Sequence, residues 1–463
     1  SKDIRPRVVA VFNFLVTFKL LNKNKQGSFM NSTQTKITSH SHSAIYSKLS
    51  KAIPQNLLEE LMSSSKRQRI YDPLTTLRLF LIQVFQGQST KSALSFFNSQ
   101  RIENGQRMVS MNNSNYCRAR KKLDENILKE IALRCNDSHE FNMWNNRHVK
   151  LIDGTTMQME DTKENQKEYP QNIRQKEGLG QPILRSLCVF SLATASLVDL
   201  EIASYSGKGN GEPSLLRRAM DRFKKKDILV MDRFFTSYFL HSDLVKRDID
   251  FVVRARDKFA EKFFKKNRKE VIIMRKRDCK SKDMSKENYI KYPKEQKIRL
   301  LKHISKKDGF RDKVIYLMTS LSSKYLSKDI VKLYRLRWDA EINLRNLKRT
   351  LGSYFLTSKT PSMVRKELYV KILAYNLTRS VIVFSAKSKL PRKYSFKTTM
   401  YLILDFLKSK GKKMVEKLPD LLKNETLNSK FRVEPRALKR RTRGTFSLLL
   451  IPRNRYKSSN QVA

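Results

Sequence analysis

The chain has 463 residues, enough for two or three packed units, and its 96 Lys and Arg against 43 Asp and Glu give a formal net charge of +53. Such an excess repels itself in a compact body unless a polyanion neutralises it, so the composition favours a nucleic-acid-binding protein, with a merely basic or ribosome-associated protein as the alternative. Four scattered cysteines without a CxxC spacing argue against zinc knuckles and a disulfide framework, and no apolar run reaches the roughly 20 residues that span a bilayer, so we expect a cytoplasmic protein without a membrane partner.

The first 145 residues fall into two segments of different composition. Residues 1–29 hold an apolar stretch, Val8 to Phe18, behind basic residues, and the first methionine is Met30, so we expect an upstream or disordered extension. Residues 30–145 predict a helical DNA-binding domain, because Asp72-Pro73 is typical of a helix start and Gly87 of a helix end. A basic cluster there, including Arg118 and Arg120, indicates either DNA contact or a solvated helix face.

Residues 146–256 alternate between strand-like and helix-like runs. The run VKLID ends at Asp153, two further runs form a hairpin around Ala195-Ser196, and DILVM ends at Asp232. Predicted helices at 214–225 and 237–246 precede and follow this last strand, and FVVRA at 251–255 closes the series. This order predicts an α/β protein with a ribonuclease H-like catalytic core, a mixed sheet flanked by helices.

Three segments follow this part of the core. Residues 257–325 predict an inserted, mostly-β subdomain, strongly basic because residues 257–313 hold 21 Lys and Arg against 9 Asp and Glu; a disordered loop is the alternative. Residues 326–390 are expected to complete the core, with a long helix over 327–350 and another over 362–386. Residues 391–463 predict a helix at 397–409, a C-terminal helical region and a basic tail that includes Arg436 to Arg443.

Two aspartates stand where buried strands are predicted to stop. A carboxylate at the C-terminal end of a strand is anchored by the sheet and exposed at its rim, where α/β sheets commonly bind ligands. Asp153 and Asp232 both have this position, on strands that we expect to be neighbours. Sites made of oxygen ligands suit Mg²⁺ or Mn²⁺, so this pair indicates a site for a divalent ion.

A third acid comes from residues 334–348 of the long helix predicted over 327–350. At about 100° per residue, Tyr334 and Lys348 lie about 20° on either side of Glu341, and Arg337 lies about 40° away. The stripe thus combines an acid with two cations and a phenol, which suits a phosphate group. A surface helix with ordinary i, i+4 ion pairs is the alternative for this segment taken alone.

The spacing Tyr334-x2-Arg337-x3-Glu341-x6-Lys348 resembles the Tyr-Arg-Glu-Lys signature of DDE transposases of the IS-four insertion-sequence family. DGTT from Asp153, DRFFTSYFL from Asp232 and YCRARKKL in the N-terminal region are also similar to segments of this family, and the resemblance covers roughly residues 50–445. One departure is Phe234, where many members of the family have a small residue.

The resemblance implies cut-and-paste movement of an insertion sequence: phosphodiester hydrolysis at the element's ends, then strand transfer into target DNA. Asp153, Asp232 and Glu341 would be the catalytic residues and the ligands of two divalent ions, Mg²⁺ or Mn²⁺. Tyr334, Arg337, Lys348, Arg118 and Arg120 would contact DNA.

The implied partners are double-stranded DNA, in the form of terminal inverted repeats and target, and a second copy of the chain, as a homodimer in the DNA complex. The resemblance also implies a bacterial protein associated with the nucleoid. A metal-dependent nuclease of the same fold and an inactive or domesticated DNA-binding derivative are the alternatives.

Overall fold

The computed structural model describes residues 55–63, 70–87, 89–135, 144–264, 268–280, 284–307, 310–386 and 394–408. The predictions for residues 1–29 and for the basic tail lie outside these residues. The described chain divides into two compact units. A helical unit comprises residues up to 135, 157–183 and from 345 onwards, and a sheet unit comprises residues 144–156 and 184–344. No helix in the described part of the chain has the length and apolar character needed to cross a bilayer.

The described part of the helical unit before residue 136 contains five helices: α1 Gln55–Ser63, α2 Pro73–Gln86, α3 Thr90–Glu103, α4 Ser114–Lys122 and α5 Glu125–Arg134. The predicted signals at the ends of α2 are confirmed. The Asp72 side chain accepts a hydrogen bond from the Thr75 N–H at 2.8 Å, and Gly87 ends the helix in the left-handed conformation with φ 61°. A small core of buried side chains joins α2, α3 and α4: Leu79, Ala93, Leu94, Phe97 and Tyr116.

Later segments complete this unit. They are α6 Lys163–Glu168, β9 Phe355–Leu356, α13 Pro361–Ala386 and α14 Phe396–Lys408. The helices predicted over 362–386 and 397–409 are therefore confirmed to within one residue at each end. Helix α13 packs against α5 and α2, because almost all of its side chains from Leu368 to Val383 are buried.

The sheet unit contains eight strands in the spatial order β3-β2-β1-β4-β5-β8-β7-β6. Their bounds are β1 Val149–Met159, β2 Ile183–Ser191, β3 Leu197–Ser204, β4 Ile228–Met231, β5 Asp250–Arg254, β6 Glu270–Lys276, β7 Glu295–Lys307 and β8 Phe310–Thr319. The hairpin of β2 and β3 is antiparallel, whereas β4 runs parallel to β1 and β5 runs parallel to β4. This mixed sheet confirms the predicted ribonuclease H-like fold class.

Four helices lie between successive strands from β3 to β7 in the described chain. They are α7 Glu212–Ala219, α8 Tyr238–Lys246, α9 Asp257–Ala260 and α10 Lys286–Ile290, and α8 connects the parallel strands β4 and β5. The helix predicted over 214–225 is shorter than expected, because a 3-10 turn at Met220–Arg222 ends it. The side chains of Leu215, Leu216 and Ala219 are buried and fix α7 on the sheet.

The basic segment after β5 extends the same sheet. Strand β8 pairs antiparallel with β5, β7 with β8, and β6 with β7. Core side chains such as Ile273, Ile298 and Leu300 continue the hydrophobic core of the earlier strands. The inserted strands are thus part of the sheet that carries the candidate site.

The long helix predicted over 327–350 is wrong as a single element. The structure has α11 Ser327–Arg335, a turn at Leu336 and Arg337, α12 Trp338–Arg345 and a π-helical turn at Asn346–Thr350. Through the first break the N–H groups of Leu336 and Arg337 bond to carbonyls three residues back, at 3.0 Å each, which tightens the helix. The angle of about 100° per residue therefore does not hold without interruption from Tyr334 to Lys348, and helical periodicity alone does not place these side chains on one stripe.

Candidate active site

Asp153 and Asp232 occupy matching positions on two neighbouring parallel strands. Leu151 of β1 pairs with Val230 of β4, and each aspartate follows two residues later. Asp232 comes directly after its strand, as predicted. The prediction that the first strand ends at Asp153 is wrong, because β1 continues to Met159 and its last two residues pair with β9.

Backbone N–H groups orient both carboxylates. Asp232 begins a 3-10 turn, Arg233–Phe235, and its side chain accepts a hydrogen bond from the Phe234 N–H at 2.7 Å. Asp153 accepts one from the Gly154 N–H at 3.0 Å. The Phe234 side chain itself is 62% exposed. Both aspartates are half-buried, so each can face solvent or a ligand while one oxygen is held.

The segment from Tyr334 to Glu341 brings further groups to this region. Arg337 donates a hydrogen bond to Glu341 at 2.8 Å, and the pair is half-buried, with 18% and 36% of the side chains exposed. Leu333, Ala340 and Leu344 are buried and hold the two helices in place. Leu336 lies in the turn between them and is half-buried.

The electrostatics show that these groups influence one another. Burial raises the pKa of Asp153 to about 7; Arg337 opposes this rise, while Asp232, Glu212 and Glu341 add to it. Burial raises the pKa of Tyr334, with Arg337 opposing and Asp232 reinforcing the shift. Burial alone would lower the pKa of Arg337, but its hydrogen bond to Glu341 and the nearby negative charges raise it. The structure therefore gathers Asp153, Asp232, Glu341, Arg337 and Tyr334 into one electrostatic neighbourhood.

Sequence reasoning missed one acid of this neighbourhood, Glu212, and one cation beside it, Arg185. Burial raises the pKa of Glu212, Asp232 reinforces this, and Arg185 opposes it. The Arg185 guanidinium lies 4.5 Å from the centre of the Tyr205 ring and donates to the Asn210 carbonyl at 3.1 Å. The one signal in the sequence is Gly154 directly after Asp153, since glycine permits close approach of another group.

The other predicted DNA-contacting residues lie in the helical unit. Lys348 is half-buried in the π-helical turn, where its carbonyl accepts the Tyr354 N–H at 3.2 Å. Arg118 is exposed on α4. Arg120 is not: its guanidinium lies 4.8 Å from the Phe80 ring centre and 5.1 Å from that of Tyr116. DNA contact at these three residues stays a prediction.

The acids do not form a closed metal cage. No three His, Cys, Asp or Glu side chains in the described ranges converge closely enough to hold an ion in their present positions. Electrostatic coupling acts over longer distances than metal ligation, so the two observations agree. The donor set nevertheless fits Mg²⁺ or Mn²⁺, because it consists of carboxylates that repel one another and so favour a cation between them.

Comparison with known proteins defines the class. Residues 144–377 match the family model described as the transposase DDE domain, and this segment contains both aspartates, Glu341 and Lys348. The chain belongs to the DDE transposases.

A similar protein of known name narrows the class of transposase to which the chain is related. The chain is similar to the transposase InsG for insertion sequence element IS4 of Escherichia coli (strain K12), with 23% identity over 290 residues. The match covers 61% of this chain and 63% of the relative, so it spans less than two thirds of that protein. The resemblance to IS-four transposases seen in the sequence is confirmed.

Proposed function

We propose that this chain is a metal-dependent transposase that hydrolyses DNA at the ends of an insertion sequence and joins the freed ends to target DNA. The observation that carries the proposal is the matched position of Asp153 and Asp232 on adjacent parallel strands. Glu341, held by Arg337, completes an acidic region with cations beside it. Such a region suits a reaction in which charge on a phosphodiester must be neutralised.

Asp153, Asp232 and Glu341 would hold two divalent ions. When bound, such ions activate the attacking oxygen and stabilise the leaving oxygen of an in-line displacement at phosphorus. A nearby positive charge also favours the ionised form of Asp153, whose pKa burial raises to about 7. A bound cation would therefore offset the repulsion between these acids.

The neighbouring side chains would bind the scissile phosphate. Arg337 presents a planar fork of donors, of which one nitrogen is used by Glu341, and its remaining N–H groups can donate to phosphate oxygens. Tyr334 keeps its proton at neutral pH, because the ordinary pKa of a tyrosine is about 10 and burial raises it further, so its hydroxyl can donate a hydrogen bond. Lys348 would add a point charge to the same DNA.

The partners would be double-stranded DNA and a second copy of the chain. The formal charge of +53 suits extended contact with phosphate, and the basic inserted strands would lie along the DNA. A homodimer in the DNA complex would hold two element ends together.

The test compares Glu341→Gln with the wild type in Mg²⁺, on DNA that carries the sequences flanking the gene on both sides. Glutamine keeps an oxygen that can accept the Arg337 hydrogen bond but lacks the charge, so we expect DNA binding to persist and cleavage to fall below detection. The matched control is Glu287→Gln, which makes the same change on the exposed helix α10 and should cleave normally. Normal cleavage by Glu341→Gln would rule the assignment out.

A second assay supplies DNA ends that are already cut. Joining of these ends to target DNA is expected of a transposase, because the same site carries out both steps. Cleavage without joining would instead identify a nuclease of this fold, and DNA binding without either reaction would identify an inactive derivative.

A further inference from the structure

Gly154, the residue after the first aspartate, lies directly under a glutamate carboxyl group. An ideal Cβ built on Gly154 would lie 2.1 Å from both Cδ and Oε1 of Glu212 and 2.6 Å from Oε2. Contacts of a Cβ atom below 3.0 Å essentially never occur. The backbone of Gly154 is not left-handed, so close approach of Glu212, and not backbone conformation, is what requires a glycine here.

The backbone of Glu212 is fixed, so this approach is not accidental. Glu212 is the first residue of α7, and the Leu215 N–H bonds to the Gly211 carbonyl at 3.0 Å. Pro213 restricts the first turn, and buried Leu215 and Leu216 anchor the helix on the sheet. The carboxyl group is thereby directed at the strand segment that carries Asp153.

Within the described ranges no hydrogen bond or ion pair satisfies the Glu212 carboxylate directly. Its neighbours include Asp232 and Asp153, which are acids, and Arg185 opposes their charge. A glutamate that only stabilised the start of α7 could do so from solvent. A half-buried position near two other acids costs energy, and a bound cation would offset that cost.

We propose that Glu212 supplies a fourth carboxylate to the divalent-ion centre and that Gly154 provides the space for it. This inference rests on the proposed function of Asp153, Asp232 and Glu341. Four ionised carboxylates carry four negative charges, which would balance two divalent cations, whereas three leave one positive charge over. Glu212 therefore helps to hold the ions and lowers the net positive charge of the ion centre that faces the DNA phosphate.

The test measures Mn²⁺ binding to the full-length chain by isothermal titration calorimetry, with no DNA and no turnover. Glu212→Gln removes the charge and keeps the shape. Gly154→Ala leaves the glutamate in place but puts a methyl group where its carboxyl lies, and the flexible end of Glu212 can move aside. We expect both variants to weaken Mn²⁺ binding about tenfold or more, as is typical when a group that supports a metal site is removed.

Three further variants separate the possible outcomes. Glu287→Gln, the matched exposed control, should bind Mn²⁺ like the wild type, and Asp153→Asn should lose binding. If Asp153→Asn loses binding while Glu212→Gln and Gly154→Ala match the wild type, Glu212 is not part of the centre and the inference is overturned. If Asp153→Asn also binds normally, the proposed function of the three acids fails instead. Should Glu212→Gln not fold, Glu212→Asp, which shortens the side chain and keeps its charge, is expected to show the same weakening.

Discussion

Arg337 and Glu341 form an ion pair 2.8 Å long across the junction between α11 and α12. Arg337 lies in the turn that interrupts the helix and Glu341 lies in α12, so the ion pair stabilises the turn against the second helix. Arg337 also moderates the rise in the pKa of Asp153. One guanidinium thus serves two of the acids proposed to be catalytic.

Replacing Arg337 tests this double role. For Arg337→Gln we expect cleavage to fall about 10²–10³-fold, the range found when one donor that stabilises developing charge is removed. The control is Arg335→Gln, two residues away, whose exposed guanidinium contacts His303 at 2.8 Å. Equal losses in both variants, measured as single-turnover rates with saturating DNA, would point to overall charge and not to Arg337.

Lys348 should contribute one phosphate contact. Lys348→Ala is expected to weaken DNA binding and to reduce the slope of log affinity against log salt by about one. Lys332→Ala makes the same change on the exposed face of α11, beside Asp329 at 3.5 Å, and provides the comparison. A slope identical to that of the wild type would place Lys348 away from the DNA.

Arg118 and Arg120 stand two residues apart on α4 and should behave differently. Arg118 is exposed, so Arg118→Ala should lower DNA affinity with no change in melting temperature. Arg120 stacks on Phe80 and Tyr116 and donates to Gln83 at 3.3 Å, so Arg120→Ala should cost about 1–2 kcal/mol of stability. Thermal unfolding and DNA titration of both variants would show a reversed order if α4 met DNA through Arg120.

Arg299 links the inserted strands to the start of α11. It is 5% exposed and bonds to Glu270 at 2.5 Å, to the carbonyls of Ser322 and Tyr325 at 2.9 and 2.8 Å, and to Ser327 at 3.1 Å. Arg299→Met should destabilise the fold by about 3–5 kcal/mol, because it leaves the Glu270 carboxylate without its cation and two carbonyls without this donor.

The control for Arg299 is Arg247→Met. The Arg247 side chain is 40% exposed and pairs at 3.1 Å with Asp221, whose side chain is 85% exposed, so its loss should cost about 1 kcal/mol or less. Denaturant midpoints measure both variants, and similar shifts would contradict a special role for the buried arginine.

His241 should make stability depend on pH. Burial lowers the pKa of this ring to about 3, Arg275 lowers it further, and the Phe235 carbonyl opposes the shift. The ring lies 2.9 Å from that carbonyl and 4.0 Å, centre to centre, from the Phe251 ring. The unfolded chain takes up a proton below its ordinary pKa of about 6.5 while the folded chain does not, so stability falls as pH falls through this range.

The expected loss from this residue between pH 7 and pH 5 is about 2 kcal/mol. His241→Gln, which keeps a donor for the Phe235 carbonyl but cannot titrate, should show a smaller fall in melting temperature over the same interval. A pH dependence equal to that of the wild type would show that His241 is protonated as easily in the folded state as in the unfolded state.

Local patterns predicted most of the elements. The run Ile228–Met231 is uniformly apolar, and it is a strand buried on both faces that stops at Asp232. The end of β1 was mispredicted because its last residues, including Gln158 and Met159, are kept extended by pairing with β9, almost 200 residues further along the chain. Pairing over such a distance leaves no local trace.

The remaining discrepancies have similar causes. No proline or glycine marks the turn at Leu336 and Arg337, so a continuous amphipathic helix was the natural expectation. Glu212 was missed because its role follows from contact with Gly154 across the sheet, and a glutamate after a glycine-rich turn is typical of a helix start. Sequence patterns identified three candidate acids, Asp153, Asp232 and Glu341. The fourth candidate, Glu212, could be recognised only from its tertiary contacts.

Strand β1 passes from one compact unit to the other between Thr156 and Met157, and the chain passes again near Leu184 and Leu344. Neither unit is therefore a continuous stretch of polypeptide. A gene fragment that ends before residue 345 would lack α13, on which the N-terminal helices pack, and one that begins after residue 139 would lack those helices. Nicked or truncated forms should regain structure only when complementary fragments are combined, so a single cut in the reading frame cannot separate the helical unit from the sheet unit.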